Sequence, residues 1–140
     1  MNERASELST DVTLLARDAL PLAGTVYGSP SARKVAVINS ATAVPRRFYR
    51  HFAGALVEAG YRVVTYDYRG IGGSRPRQLR GFSAKMRDWG LQDMAGVLDW
   101  VRTEHDDARI LLVGHSVGGQ VAGMLDNVEG IEGMVTFSAQ

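Results

Sequence analysis

Leu111-Leu112-Val113-Gly114-His115-Ser116-Val117-Gly118-Gly119 is the stretch whose reading decides the fold. An apolar run ends in a G-x-S-x-G frame, and residues 117–125 then read as a short glycine-rich helix. A serine hydroxyl is a poor nucleophile. To react, it must stand clear of the sheet, near a base and near donors for a developing oxyanion. A tight strand-to-helix turn achieves this while straining the serine backbone. Gly114 and Gly118 leave room for that turn, where a β-carbon would crowd the opposing chain. The following helix starts with free N–H groups and a positive dipole end, so the Val117 N–H is a natural oxyanion donor. The bare pattern arises by chance in roughly one such chain in ten. Its weight therefore comes from the strand before it and the helix after it.

Working outward, residues 34–38 (KVAVI), 62–66 (RVVTY) and 109–113 (RILLV) are short apolar runs of the kind buried on both faces. Residues 131–137 read as a final strand. Residues 46–59 carry Phe48, Phe52, Ala55, Leu56 and Ala59 at helical spacing, with Pro45 in the first turn and Gly60 as a stop. Leu91, Met94, Ala95, Leu98 and Val101 mark a second helix, with Trp89 and Trp100 as its expected core anchors. Strands alternating with helices predict an α/β fold, a mostly parallel sheet with flanking helices. Residues 12–15 and 20–27 add a marginal antiparallel pair at the start. Residues 1–11 are expected to be a flexible N-terminus, and residues 12–140 part of one domain.

Composition excludes several classes. The 140 residues are 45% apolar and 22% charged with net charge +1, which does not suit a dedicated nucleic-acid binder. With no cysteine there is no disulfide framework and no thiolate metal site. Three histidines, none spaced i, i+4, predict no metal centre. No run reaches the ~18 apolar residues of a membrane span. Glu3, Arg4, Glu7 and Asp11 interrupt any signal-peptide core, so the expected location is cytoplasmic.

Taken together, three segments resemble the α/β-hydrolases, in particular the serine-hydrolase branch of monoglyceride lipases, esterases and proline-type aminopeptidases. The first is the elbow, Gly114 to Gly119. The second is Asp67-Tyr68-Arg69-Gly70-Ile71-Gly72-Gly73-Ser74, which is similar to that family's D-x-R-G-x-G-x-S loop. The third is Val35-Ala36-Val37-Ile38 leading into the helix with Phe48, Tyr49 and Phe52. Ala41 to Arg50 is especially similar to a stretch in a group of uncharacterised bacterial α/β-hydrolases. The resemblance runs from about Val12 to Gln140 and implies an α/β-hydrolase fold truncated after about the sixth strand. It further implies a serine hydrolase acting on a carboxylic ester, less readily an amide, without a dissociable cofactor. Ser116 would be the nucleophile, and Val117 N–H with that of Thr42 or Ala41 would form the oxyanion hole. Gly114, His115, Gly118 and Gly119 would shape the elbow; Asp67, Arg69, Gly70, Gly72 and Ser74 would shape their own loop. One departure stands out: relatives usually carry His-Gly at the start of the oxyanion loop, whereas this chain has Asn39-Ser40-Ala41-Thr42.

The family's acid and base follow the nucleophile in chain order, on loops after later strands. No such pair is present here. His105, beside Asp106 and Asp107, precedes the strand that Ser116 follows, so five residues at ~3.3 Å separate the two by ~17 Å. It is expected to be a solvated loop residue. His51 is expected at the surface, between core-facing Phe48 and Phe52, and His115 beneath the turn. Asp67 is a loop organiser in preference to a triad acid, accepting from the Gly70 to Ser74 backbone. Arg69, Arg75, Arg77, Arg80, Lys85 and Arg87 form a basic cluster, read as a solvated loop. The isolated chain is therefore expected to be nearly inactive, its last strand an apolar edge prone to self-association. A non-catalytic ligand- or partner-binding module and one half of a split enzyme are the competing readings.

Overall fold

A computed structural model describes residues 8–139. The strand Lys34–Asn39 (β3) is buried along almost its whole length, because neighbours flank it on both sides and helices cover both faces. Alternation of side chains sends Val35 and Val37 to one face and Ala36 and Ile38 to the other. The sheet has six strands in the order β1-β2-β4-β3-β5-β6. Its other members are β1 (Ser9–Leu15), β2 (Pro21–Tyr27), β4 (Tyr61–Tyr66), β5 (Arg109–His115) and β6 (Ile131–Phe137). β4, β3, β5 and β6 run parallel, while β1 and β2 join antiparallel at one side. This is the α/β arrangement expected. Residues 1–7, most of the expected flexible N-terminus, lie outside the described residues, whereas Ser9 to Asp11 already belong to β1.

One face of the sheet packs against a long helical segment. It begins as α2 (Met86–Asp88), widens into a π-helical turn (Trp89–Met94) and continues as α3 (Ala95–Glu104). Met94, Val97, Leu98 and Val101 meet Leu14, Leu22, Val35, Val37 and Ile110 there, and Trp89 joins this core. Leu91, expected on the buried side, is exposed.

The other face carries α1 (Arg50–Glu58), entered through a 3-10 turn (Arg46–Tyr49). Here the expected apolar stripe is off by one residue. Tyr49 and Ala53 are buried and Leu56 and Val57 partly so, whereas Phe48 is 63% exposed and Phe52 lies edge-on to Phe137 at 5.9 Å. Two overlapping i, i+4 series are available, and the one ending in Val57 fits against β4 because its small Ala53 allows close approach. Neither Phe48 nor Phe52 is core-facing as expected, and His51 between them is exposed.

β6 forms the open edge of the sheet beyond β5, with Met134, Val135 and Phe137 all exposed. No helix among the described residues is long and apolar enough to cross a membrane.

Candidate active site

The end of β5 turns sharply into α4 (Val117–Gln120), which continues as a 3-10 turn (Val121–Met124). Ser116 sits at this junction with φ 53° and ψ −117°, a backbone conformation that costs a non-glycine residue about 1–3 kcal/mol. The residue is half-buried. The strain persists because the surroundings fix it. Ser116 N–H donates to the Phe137 carbonyl at 2.8 Å, and the Ser116 carbonyl accepts from Gly119 N–H at 2.9 Å. A β-carbon on Gly114 would lie 2.5 Å from Gly119 Cα, and one on Gly118 would lie 2.2 Å from the Asn39 carbonyl oxygen. Such contacts are impossible without backbone movement, so α4 can start here only over glycine. Gly119 is similarly pressed against Thr136 and Ala139.

The Gly118 contact places the elbow directly against the loop after β3. Asn39 and Ser40 are buried, as is Ala41, and Thr42 is exposed. Ala41 N–H donates to the Tyr49 hydroxyl at 3.0 Å, so it is already engaged. Among the described residues Thr42 N–H has no acceptor. Ala43 follows at φ 60°, inside a turn closed by Val44 N–H to the Ala41 carbonyl at 3.2 Å. Val117, as the first residue of α4, has no intrahelical acceptor for its N–H.

His115 Nδ1 lies 2.9 Å from the Tyr49 hydroxyl oxygen, with the rings edge-on at 6.0 Å. The ring nitrogens seen for His115 and His105 go elsewhere than Ser116: His115 Nδ1 to Tyr49, and His105 Nε2 to no partner. His105 sits at the C-terminus of α3, before β5. It is half-buried rather than solvated, because Nε2 is enclosed without a partner. Burial, helped by the Arg62 charge, pulls its pKa below the ordinary histidine value. No group of His, Asp and Glu among the described residues could hold a metal ion.

The Asp67 to Ser74 loop is built around buried carboxylates. Asp67, 1% exposed, accepts from Gly73 N–H at 2.9 Å. It also takes two bonds from Arg46, from the backbone N–H and from Nη1, each at 2.6 Å, a partner that the loop sequence does not announce. Gly72, at φ +50°, leaves no room for a β-carbon beside the Asp67 carboxylate. Gly70, at φ +81°, makes the preceding bend. The Ser74 hydroxyl donates to the Asp67 carbonyl at 2.6 Å and accepts Ala23 N–H at 2.9 Å, tying the loop to β2.

Arg69 departs from the basic cluster in which its charge placed it. It is buried, bonded in fork fashion to Asp18 at 2.8 Å, and its Nε and backbone N–H both reach Asp93 at 2.8 Å. Asp93 is fully buried, and desolvation pushes its carboxyl up despite the guanidinium beside it. Trp89 Nε1 donates to the Arg69 carbonyl, and its ring stacks on Tyr68 at 4.8 Å. Trp89 is thus a core residue.

This arrangement, an engaged loop facing a strained serine at a strand-to-helix bend, has relatives. The family model described as "Serine aminopeptidase, S33" matches residues 30–140. The chain belongs to that family. By fold it is an α/β-hydrolase. It superposes on the esterase Pf2001 of Pyrococcus furiosus with TM-score 0.76 at 23% identity, covering 94% of this chain and 49% of that one. For XC6422 of Xanthomonas campestris, described as an α/β serine hydrolase without lid, the TM-score is 0.70 at 23% identity, covering 92% and 60%. In sequence the chain is 35% identical over 103 residues to a Variovorax paradoxus protein named "Putative carbamate hydrolase RutD", across 73% of this chain and 35% of that protein. The chain thus spans about a third of that relative and about half of the first esterase.

Proposed function

We propose that this chain contributes the nucleophile and oxyanion hole of a serine hydrolase that transfers acyl groups from carboxylic esters, with amides second. The observation that carries the reading is Ser116, half-buried and held at φ 53° where β5 meets α4. Strain of this kind on a serine, enforced by glycines that cannot accept a β-carbon, is the mark of a positioned nucleophile. Ser116 Oγ attacks the substrate carbonyl carbon, losing its proton to a base. The carbonyl oxygen takes the negative charge and is met by Val117 N–H and Thr42 N–H. Collapse expels the alkoxide, which takes the proton from the base, and water repeats the sequence to free the acid.

Base and acid lie outside the described residues in this reading, since His115 Nδ1 is turned to Tyr49 and His105 lies before β5, at the strand end opposite Ser116. The relatives' greater length supports that view. The test is fluorophosphonate labelling with mass spectrometry. In the full-length protein, fast labelling at Ser116, abolished by Ser116→Ala together with hydrolysis of p-nitrophenyl butyrate, is expected. The isolated 140-residue chain should label at least a thousandfold more slowly, because a serine without its base keeps only what the hole and binding supply. Equal rates in both would place the base within this chain and overturn that division. Turnover retained by Ser116→Ala would overturn the nucleophile itself.

A further inference from the structure

Three tyrosines grip three consecutive residues, the last of β3 and the first two of the loop after it. Tyr66 donates to Asn39 Oδ1 at 2.7 Å, Tyr68 donates to the Ser40 carbonyl at 3.0 Å, and Tyr49 accepts Ala41 N–H at 3.0 Å. Of the polar side chains here, Asn39 is held through Oδ1, whereas its Nδ2 and the Ser40 Oγ are buried without partners. Of the three phenols only Tyr49 also bonds to the elbow, through His115 Nδ1 at 2.9 Å. The adjoining residue on the loop side is Thr42 and on the elbow side Ser116. We infer that Tyr49 is a positioning residue that selects Thr42 N–H as the loop's oxyanion donor, by withdrawing Ala41 N–H from the hole and latching the loop to the nucleophile elbow. This rests on the serine-hydrolase reading above.

The donor count supports the latch. A phenol has one proton to give and accepts two. With Ala41 N–H as its donor, the Tyr49 O–H is free to donate to His115 Nδ1, which requires the tautomer protonated on Nε2. Burial raises the Tyr49 pKa above the ordinary tyrosine value, so the phenol keeps that proton at neutral pH. A bonded series N–H to O–H to ring nitrogen strengthens each member. Ala43 at φ 60° shows that the chain beyond the grip is held in a conformation it would not choose alone. Thr42 N–H, with no other acceptor among the described residues, remains for the substrate.

The experiment uses the full-length protein, with p-nitrophenyl butyrate turnover and NMR of the Ala41 amide and the His115 ring. Tyr49→Phe keeps the ring and deletes both bonds. Expected are a kcat lower by about tenfold to a hundredfold with KM within about twofold, as for a hole that has lost its alignment. Ala41 amide exchange should rise at least tenfold, and His115 should lose its single tautomer. Wild-type His115 should show an unprotonated Nδ1, a readout that stands even where the variant folds poorly. A Tyr49→Phe enzyme with unchanged kcat and unchanged Ala41 exchange, or a wild-type His115 protonated on Nδ1, would overturn the assignment. Loss of turnover in Ser116→Ala is the control. If it fails, the hydrolase reading falls, independently of Ala41 exchange, which still reports on Tyr49.

Discussion

Removing the Asp67 carboxylate should cost far more stability than a loop residue ordinarily does. The group accepts Arg46 N–H and Nη1 at 2.6 Å each and Gly73 N–H at 2.9 Å, at 1% exposure. Asp67→Ala deletes these together. It strands two backbone donors and leaves the Arg46 guanidinium with Thr25 at 2.9 Å and Asp11 at 3.6 Å. Hydrogen bonds to a charged group contribute about 1.5–3 kcal/mol each, and breaking a buried ion pair costs about 3–5 kcal/mol. The Arg46 side chain is 20% exposed, so water recovers part of this. The expected loss is therefore about 3–4 kcal/mol, and about 2 kcal/mol for Asp67→Asn, which retains the shape and one acceptor. Urea unfolding followed by Trp89 and Trp100 fluorescence gives the values, with an unchanged m-value. A double-mutant cycle with Arg46→Met should return a coupling of about 2 kcal/mol. A loss below about 1 kcal/mol, or no coupling, would refute the structural role. Turnover of folded full-length Asp67→Asn decides the rival role, because a triad acid changed to its amide loses about 10⁴ in kcat.

Other perturbations reach the remaining parts. Gly118→Ala, whose β-carbon would sit 2.2 Å from the Asn39 carbonyl oxygen, should cost about 3 kcal/mol or more in thermal unfolding. Gly123→Ala, with nothing within 4 Å, should stay within about 0.5 kcal/mol, and equal effects at the two would contradict the packing. Burial holds the His105 pKa below its unfolded value, so the neutral ring supplies stability above about pH 6.5 that is lost as pH falls through the depressed folded value. His105→Gln should flatten the Tm profile between pH 7 and 5, and an unchanged slope would contradict this. Val135→Lys places a charge on the open β6 edge and should reduce self-association of the 140-residue chain in sedimentation velocity. Identical distributions would show that the edge is not the contact.

What could be read in the residues was what burial writes locally. β3, β4 and β5 are covered on both faces, so their sequences are continuous apolar runs. The elbow was legible for the same reason, because its glycines answer a steric demand within a few residues. The phase of α1 was not. Phe48 and Phe52 form as good an i, i+4 pair as Tyr49 and Ala53, and only the position of β4 and the need of Ala41 N–H for an acceptor choose between them. Arg69 looked like surface because its partners, Asp18 and Asp93, lie 51 and 24 residues away. Tyr49, Tyr66 and Tyr68 were missed as site-supporting residues for the same reason. A tyrosine in an apolar pattern reads as core, and nothing local states where its hydroxyl goes.

The sheet order itself locates the site, independently of any serine. From β3 the chain crosses to β4 on one side. From β4 it returns past β3 to β5 on the other side and continues outward to β6. Connections therefore leave the carboxyl ends of β3 and β5 in opposite directions, which makes this the topological switch point, the place where parallel α/β sheets bind ligands. The last register pair of these strands is Asn39 with Gly114. The residues that follow them are Ser40 to Thr42 on one side and His115 to Val117 on the other. The loop that offers an unengaged amide and the bend that carries Ser116 thus flank one switch point. A conventional histidine-glycine opening is unnecessary for that convergence: the topology brings the backbone donors together, and side chains need only hold them in place. In this chain phenols from β4, the segment after it and the entry to α1 provide the hold. On the proposed function, a hole made of backbone N–H groups would tolerate Asn39 and Ser40 beside it, provided that the grip on Ala41 survives.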